Sequence, residues 1–444
     1  MADYNNVVRR RIEAFRSDEI VLDPKDLRQV SQEAGALGIE VAPIATSVRL
    51  GLAQYKLRRL EAGVAALGPD LVNRVKAAAV GTYLEGEQPS DLDLLLFHLR
   101  EKSAAKYAGY KPVVAKIRTY ENIEGSPYSG GSVGDPQPVK AFKLPERSPS
   151  KRRRPRIGIL DTPIHPHPQF AGRYLIASDK GLLVERPKQV SFSGHAIFVA
   201  SVAARQAPDA EFVIYPVLDE TTLTTNSWDL ATTMVDALDD DLDMMIIALG
   251  GATADGREPL ALARACERTS GIVKVAALGN NGQNKAAAPK GTQFSELPAN
   301  TPIWPAASST VIAVGARDES DRAAYFSPTL EEAPWTDCTA PGTNLEGLFL
   351  PGQVWMADLD VRKGAIKVSD RWADFPAPGH ATWSGTSFAA AYAGGAIAQQ
   401  AYAEGITVRE LAQTLFGEDR EKTPTTYDGA PRTGLDALDI VRFP

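Results

Sequence analysis

"TWSGTSFAAAYAGGAIA", residues 382–398, places a serine behind a Ser-Gly-Thr turn and follows it with a run built almost wholly of alanine and glycine. No charged residue occurs between Thr382 and Ala398. A surface helix keeps a polar stripe toward water. A helix of this composition is therefore expected to be buried on every side, packed too closely to admit larger side chains. Ser387, at its mouth, would stand deep in the protein at the positive end of the helix dipole, where a developing anion is stabilised.

The bulk numbers fit that interior. With 444 residues, 44% hydrophobic and 23% charged, the chain suits a soluble globular protein of two or three domains. Cys266 and Cys338 are the only cysteines, so no disulfide framework is expected, and both are taken as buried apolar residues. The first twenty residues hold no signal-like apolar core, and no run reaches the roughly 18 apolar residues of a membrane span. The expectation is a cytoplasmic protein with no membrane partner. Charge is uneven: residues 1–154 carry 25 Lys/Arg against 19 Asp/Glu (net +6), and residues 155–444 carry 23 against 36 (net −13).

After Pro155 short apolar runs alternate with helical stretches: "RIGILD", "AEFVIYPVL", "DMMIIALGG", "GIVKVAALGNNG" and "STVIAVGAR", with helices near 226–239 and 258–269. That rhythm predicts an α/β fold, a mostly parallel sheet with helices on both faces. Function in such sheets gathers at the carboxyl ends of the strands, where Asp161, Gly250, Gly251, Gly279 and Asn280 fall. The first 120 residues are read differently, as a small N-terminal all-helical module. Helices are expected over 25–36, over 44–67 (Ile44, Val48, Leu52, Tyr55, Leu60, Val64 and Leu67 on one stripe), from Leu71, and after a Ser90 cap with Asp93 three residues on. Residues 121–154, dense in Gly, Pro and Ser and ending in "KRRR", are read as an exposed basic linker. A basic run of this kind also occurs in nucleic-acid or targeting patches, but a solvated linker end is preferred here, and no nucleic-acid partner is expected.

Amide hydrolysis at neutral pH needs a nucleophile, a base, a group that orients the base, and donors for the oxyanion. Of the five histidines, His195 opens "GHAIFVASVAARQ" at a helix start and faces inward. Alone, a histidine so placed is more often a structural residue; beside Asp161 and Ser387 it becomes a candidate base.

The ordered set "GILDT", "SGHAIFVASVAA", "IIALGG", "AALGNNG", "STVIAVGA", "CTAPGT" and "WSGTSFAAAYAGGAIA" resembles the subtilisin-like serine proteases over residues 155–444, as does the closing "TGLDALDIV". The resemblance implies that Asp161 orients the imidazole, that His195 is general base and then acid, and that Ser387 attacks the scissile carbonyl. It implies that Asn280 and the Ser387 backbone N–H form the oxyanion hole, with Asn281 as the competing assignment. Leu249, Gly250, Gly251, Ala277, Leu278 and Gly279 would wall the substrate groove, where an extended peptide binds as an added strand.

Some positions depart from the family's pattern: Pro163 after Asp161-Thr162, Ala196-Ile197-Phe198 after the histidine, Ser201 for a glycine, and Phe388 for a methionine. None removes an atom of the triad. An insertion over about 344–380 contains the alternation "VWMADLDVRKGAIKVS", expected to form a β-hairpin near the site. No metal site is assigned. "HPHP" at 165–168 lacks clear partner ligands, and Asp239, Asp240, Asp241 and Asp243 suit a solvated helix end. Calcium, which many relatives bind, stays open, and no other cofactor is expected. The expected function is a serine endopeptidase of narrow range, such as one processing a precursor or leader peptide. A regulated stress or defence protease and a peptide-binding pseudoprotease are the alternatives. The N-terminal module would bind the catalytic domain or a partner, or hold the enzyme in check.

Overall fold

The computed structural model describes residues 7–10, 12–78, 87–122, 133–184, 186, 188–219, 223–290, 292, 294–295, 297–360 and 365–417. The chain divides into two units. The first gathers Met1–Thr119, Asn226–Asp236 and Ala252–Arg268, and the second Tyr120–Thr225, Ala237–Gly251 and Thr269–Pro444.

The first unit is not all-helical. β1 (Ala14–Leu22), α1 (Leu27–Gly35), β2 (Glu40–Ser47), β3 (Leu52–Arg58), α2 (Leu60–Ala65), α3 (Asp70–Ala78), α4 (Asp91–Lys106) and β4 (Val114–Asn122) follow one another along the chain. The strands lie antiparallel in the order β2-β3-β1-β4. This is the ferredoxin-like βαββαβ pattern. The expected 44–67 helix is instead a hairpin followed by a short helix. Gly51, at φ +64°, turns the chain between β2 and β3. Ile44 and Val48, which a helical stripe would have buried, are 48% and 90% exposed. Tyr55 and Leu57, two residues apart, point into the core as strand periodicity requires.

The helices at 27–35, 70–78 and 91–106 stand where they were expected. Ser90 caps α4, accepting from the Asp93 N–H at 3.2 Å while Asp93 accepts from the Ser90 N–H at 2.8 Å. Asp93 also meets Lys116 and Arg10 at 2.5 Å, and Lys116 meets Glu13 at 2.6 Å. Burial pushes the Asp93 carboxyl up, but the two cations outweigh it and hold the pKa at about 2.

In the second unit, β5 (Arg156–Asp161), β6 (Tyr174–Ile176), α5 (His195–Gln206), β7 (Glu211–Pro216), β8 (Met244–Ile247), β9 (Val273–Ala277), β10 (Ile312–Arg317), β11 (Cys338–Pro341) and α6 (Thr386–Glu404) carry the expected α/β fold. The seven strands are parallel in the order β11-β10-β9-β8-β5-β7-β6. The alanines and glycines of α6 serve close approach. A Cβ on Gly394 would come within 2.9 Å of the Ile246 side chain on β8, and one on Gly395 within 2.4 Å of the Ala203 carbonyl on α5.

The supposed linker needs a second correction. Residues 123–132 lie outside the described residues, but 133–154 is strapped to the second unit rather than solvated. Gln137–Pro138 pairs antiparallel with the strand His380–Trp383. Arg371 meets Asp135 at 2.5 Å. Phe142 and Leu144 bond through their backbones to the Gln169 amide. Within the basic run, Arg152 stacks on Tyr402, Arg153 pairs with Asp241 and Asp243, and Arg154 pairs with Asp209. These arginines are folding contacts. Their partners lie 55 or more residues away, so composition alone read the stretch as linker.

The 344–380 insertion folds as expected: Gly352–Asp360 and Ala365–Phe375 pair antiparallel, with Trp355 opposite Trp372. The "TGLDALDIV" segment lies outside the described residues.

Candidate active site

β5 and β8 are neighbours, with Leu160 opposite Ile247, so the next residues, Asp161 and Ala248, leave adjacent strand ends. Asp161 is fully buried. Its Oδ1 accepts the Thr162 N–H at 2.6 Å, and both carboxylate oxygens face His195 Nδ1, at 2.9 and 2.8 Å. His195 is the first residue of α5. Its helix start is set by Gly194, where a Cβ would come within 2.4 Å of the Phe349 ring. Bonded on the Nδ1 side, the ring directs Nε2 away from the carboxylate. Nε2 is buried and meets no hydrogen-bond partner among the described residues.

Ser387 lies in the first turn of α6 and is fully buried. Its hydroxyl donates to the Ala248 carbonyl at 3.2 Å rather than to His195. Asn280 follows the end of β9. Its Oδ1 accepts the Thr386 N–H at 3.0 Å and the Thr386 hydroxyl at 2.9 Å, which fixes the amide with its NH2 on the side away from Thr386. Asn281 is spent elsewhere: its NH2 donates to the Pro298 and Ala299 carbonyls at 2.8 and 3.3 Å. Gly279, at φ +125°, bends the chain just before Asn280, and a Cβ there would come within 2.5 Å of Asn281 Oδ1.

The two expected groove walls are the strand Leu249–Ala252 and the segment Ala277, Leu278 and Gly279. Leu278 is anchored by its N–H to the Val314 carbonyl at 3.0 Å. Leu249–Ala252 has both edges in use. One edge pairs with Ile303–Trp304. On the other, Leu249 and Gly250 pair antiparallel with Asn122 and Glu121. Gly251 leaves the space that Tyr120 fills, since a Cβ there would stand 2.2 Å from the tyrosine ring, and Tyr120 is fully buried. The chain thus lays its own residues 120–122 along the edge expected to receive an extended peptide, an arrangement that the linker expectation missed.

Two of the departures from the family's pattern meet in space. Phe198 and Phe388 lie 4.5 Å apart, centroid to centroid, and Trp383 packs against both. Ser201 accepts the Leu348 N–H at 2.9 Å, and Gly347 leaves room for that hydroxyl. His167 of the "HPHP" stretch bonds the Gly379 carbonyl through Nε2, and burial lowers its pKa to about 4. Among the described residues there is no cluster of three or more His, Cys, Asp or Glu that could hold a metal ion. Likewise, no described helix is long and apolar enough to cross a membrane.

A parallel sheet of this order, with an Asp–His pair at a strand end and a serine at the mouth of a buried helix, defines the class of the second unit. Residues 152–428 match the profile of the subtilase family, Peptidase_S8, and the chain belongs to that family. Its relatives include the minor extracellular protease Epr of Bacillus subtilis, 27% identical over 44% of this chain and 28% of Epr. Serine protease AprX of the same bacterium is 27% identical over 44% of this chain and 48% of AprX. The chain therefore spans half or less of the length of these curated relatives. Fervidolysin from Fervidobacterium pennivorans, a keratinolytic enzyme related to subtilisin, has a similar fold, with a TM-score of 0.50 at 16% identity over 90% of this chain and 56% of its own.

Proposed function

We propose that this chain is a serine endopeptidase whose nucleophile is Ser387, whose general base and acid is His195, and whose imidazole is oriented by Asp161. The observation that carries this is the Asp161–His195 bond on the strand beside the one whose end, Ala248, holds the Ser387 hydroxyl. Rotation about the serine's χ1 is the change that would move the hydroxyl from the Ala248 carbonyl toward His195 Nε2. Catalytic hydrogen bonds commonly tighten only once substrate is bound. The serine's proton passes to Nε2 as Oγ bonds to the scissile carbon, then to the leaving amine as the C–N bond breaks. Water repeats the sequence and frees the acid.

Asn280 and the Ser387 N–H are assigned to the oxyanion. Replacing Asn280 by alanine should lower kcat by about 10²–10³-fold, the scale known for this donor in the family, and leave KM nearly unchanged. An equal effect on KM would move Asn280 out of the oxyanion hole.

Peptide substrate would add as a strand to Leu249–Gly251, with Ala277, Leu278 and Gly279 as the opposite wall. On this reading residues 120–122 hold the enzyme in check by lying on that edge. The altered side chains around the histidine, Phe198, Ser201 and Phe388, suit a narrow range such as precursor- or leader-peptide processing. Tyr120→Ala tests the restraint. Removing a buried aromatic side chain costs about 3–5 kcal/mol, so the edge should be vacated far more often. The initial rate on an added fluorogenic peptide is expected to rise by at least about tenfold. An unchanged rate would separate residues 120–122 from control of the site.

A second reading, a peptide-binding pseudoprotease, is favoured by the serine hydroxyl bonding Ala248 instead of the histidine. Any turnover lost on substitution of Ser387 excludes it.

A further inference from the structure

We propose that Trp383 is a positioning residue for His195 and that the strap beginning at Gly134 holds it in place. This rests on the reading of His195 as the general base. The indole ring stands edge-to-face with the imidazole, centroids 5.8 Å apart at 85°, and the Phe388 ring lies 5.4 Å from the same imidazole at 41°. Asp161 grips only the Nδ1 side, and a ring held at one edge can still tip about its Cβ–Cγ bond. The two aromatic rings remove that freedom.

The indole is held in turn. Its Nε1–H donates to the Gly134 carbonyl at 3.1 Å. The Phe349 ring meets it edge-on at 5.8 Å and 85°. The backbone of Thr382, one residue before it, pairs with Gln137 of the strap. Trp383 is only 3% exposed, so it acts through the imidazole rather than by touching peptide. The strap is thus a working part of the catalytic unit, although it precedes the run of motifs by some twenty residues.

The test compares Trp383→Leu and Trp383→Phe with wild type in the full chain, by steady-state hydrolysis of a fluorogenic peptide and by thermal unfolding. A misplaced base costs up to about 10²-fold in rate. Trp383→Leu is therefore expected to lower kcat by about 10- to 100-fold with KM within about twofold. Trp383→Phe keeps an aromatic ring but loses the Gly134 bond and the second ring of the indole, so it should recover part of that loss. Three results would overturn the inference: a folded Trp383→Leu chain with wild-type kcat; a rise in KM at constant kcat, which would make Trp383 a substrate contact; and a phenylalanine variant as slow as the leucine one at wild-type unfolding temperature. A folded Tyr120→Ala chain with no activity at all would instead refute the assignment of His195 as base.

Discussion

Ser387→Ala is expected to reduce peptide hydrolysis by about 10⁶-fold, the scale known for this family when the nucleophile is removed, while the chain stays folded. Both halves follow from position. Among the described residues the Ser387 hydroxyl makes a single hydrogen bond, to the Ala248 carbonyl at 3.2 Å, and it stands in a helix turn that already accepts alanine at Ala389, Ala390 and Ala391. Losing it leaves one carbonyl with a lone pair less occupied, a cost of about 1 kcal/mol or less. Unfolding temperature and unfolding rate should barely move. The chemistry loses the atom that forms the acyl bond, and the residual rate would come from the oxyanion donors and binding alone. Comparing kcat and thermal unfolding for the two proteins checks both statements.

Asp161→Asn should lower kcat by about 10⁴-fold, again a scale the family shares with other triad enzymes. The carboxylate accepts from His195 Nδ1 with both oxygens and from the Thr162 N–H with Oδ1. An asparagine can keep the Thr162 bond through its oxygen. Its NH2 then faces Nδ1 and can only donate, so the imidazole must put its proton on Nε2, the nitrogen that has to receive the serine's. The buried imidazolium formed during the reaction also loses its counter-charge. The loss should appear in kcat with KM nearly constant. A drop of less than about tenfold would mean that Asp161 is not the orienting group.

Much of the second unit was legible because its signals are local. An uncharged alanine and glycine run can only be a helix buried all round, and β5, β7, β8, β9 and β10 each announced themselves as short apolar runs. The hairpin of the insertion was readable from its alternation. The N-terminal sheet was not, because Ile44, Val48, Leu52 and Tyr55 fall at steps of three and four that a helix and an interrupted hairpin share. What separates them is the turn at Gly51 and the exposure of Val48, both tertiary facts. The strap was hidden for the opposite reason. Its Gly-, Pro- and Ser-rich composition describes linkers, and the residues that tie it down, Asp209, Asp241, Asp243, Arg371 and Tyr402, lie far along the chain. Asp161, His195, Asn280 and Ser387 were assigned from motif order and the resemblance it carries. The contact of Trp383 with His195, and of Tyr120 with Gly251, left no local trace.

The central claim is that Ser387 is a nucleophile activated by the buried Asp161–His195 pair. Intact-mass analysis and peptide mapping after treatment with a fluorophosphonate, on the folded Tyr120→Ala chain whose substrate edge is open, tests it most directly. One covalent adduct, on Ser387 and abolished by His195→Ala, is the predicted result. A folded chain that takes no adduct, or takes it at a different serine, would contradict the account.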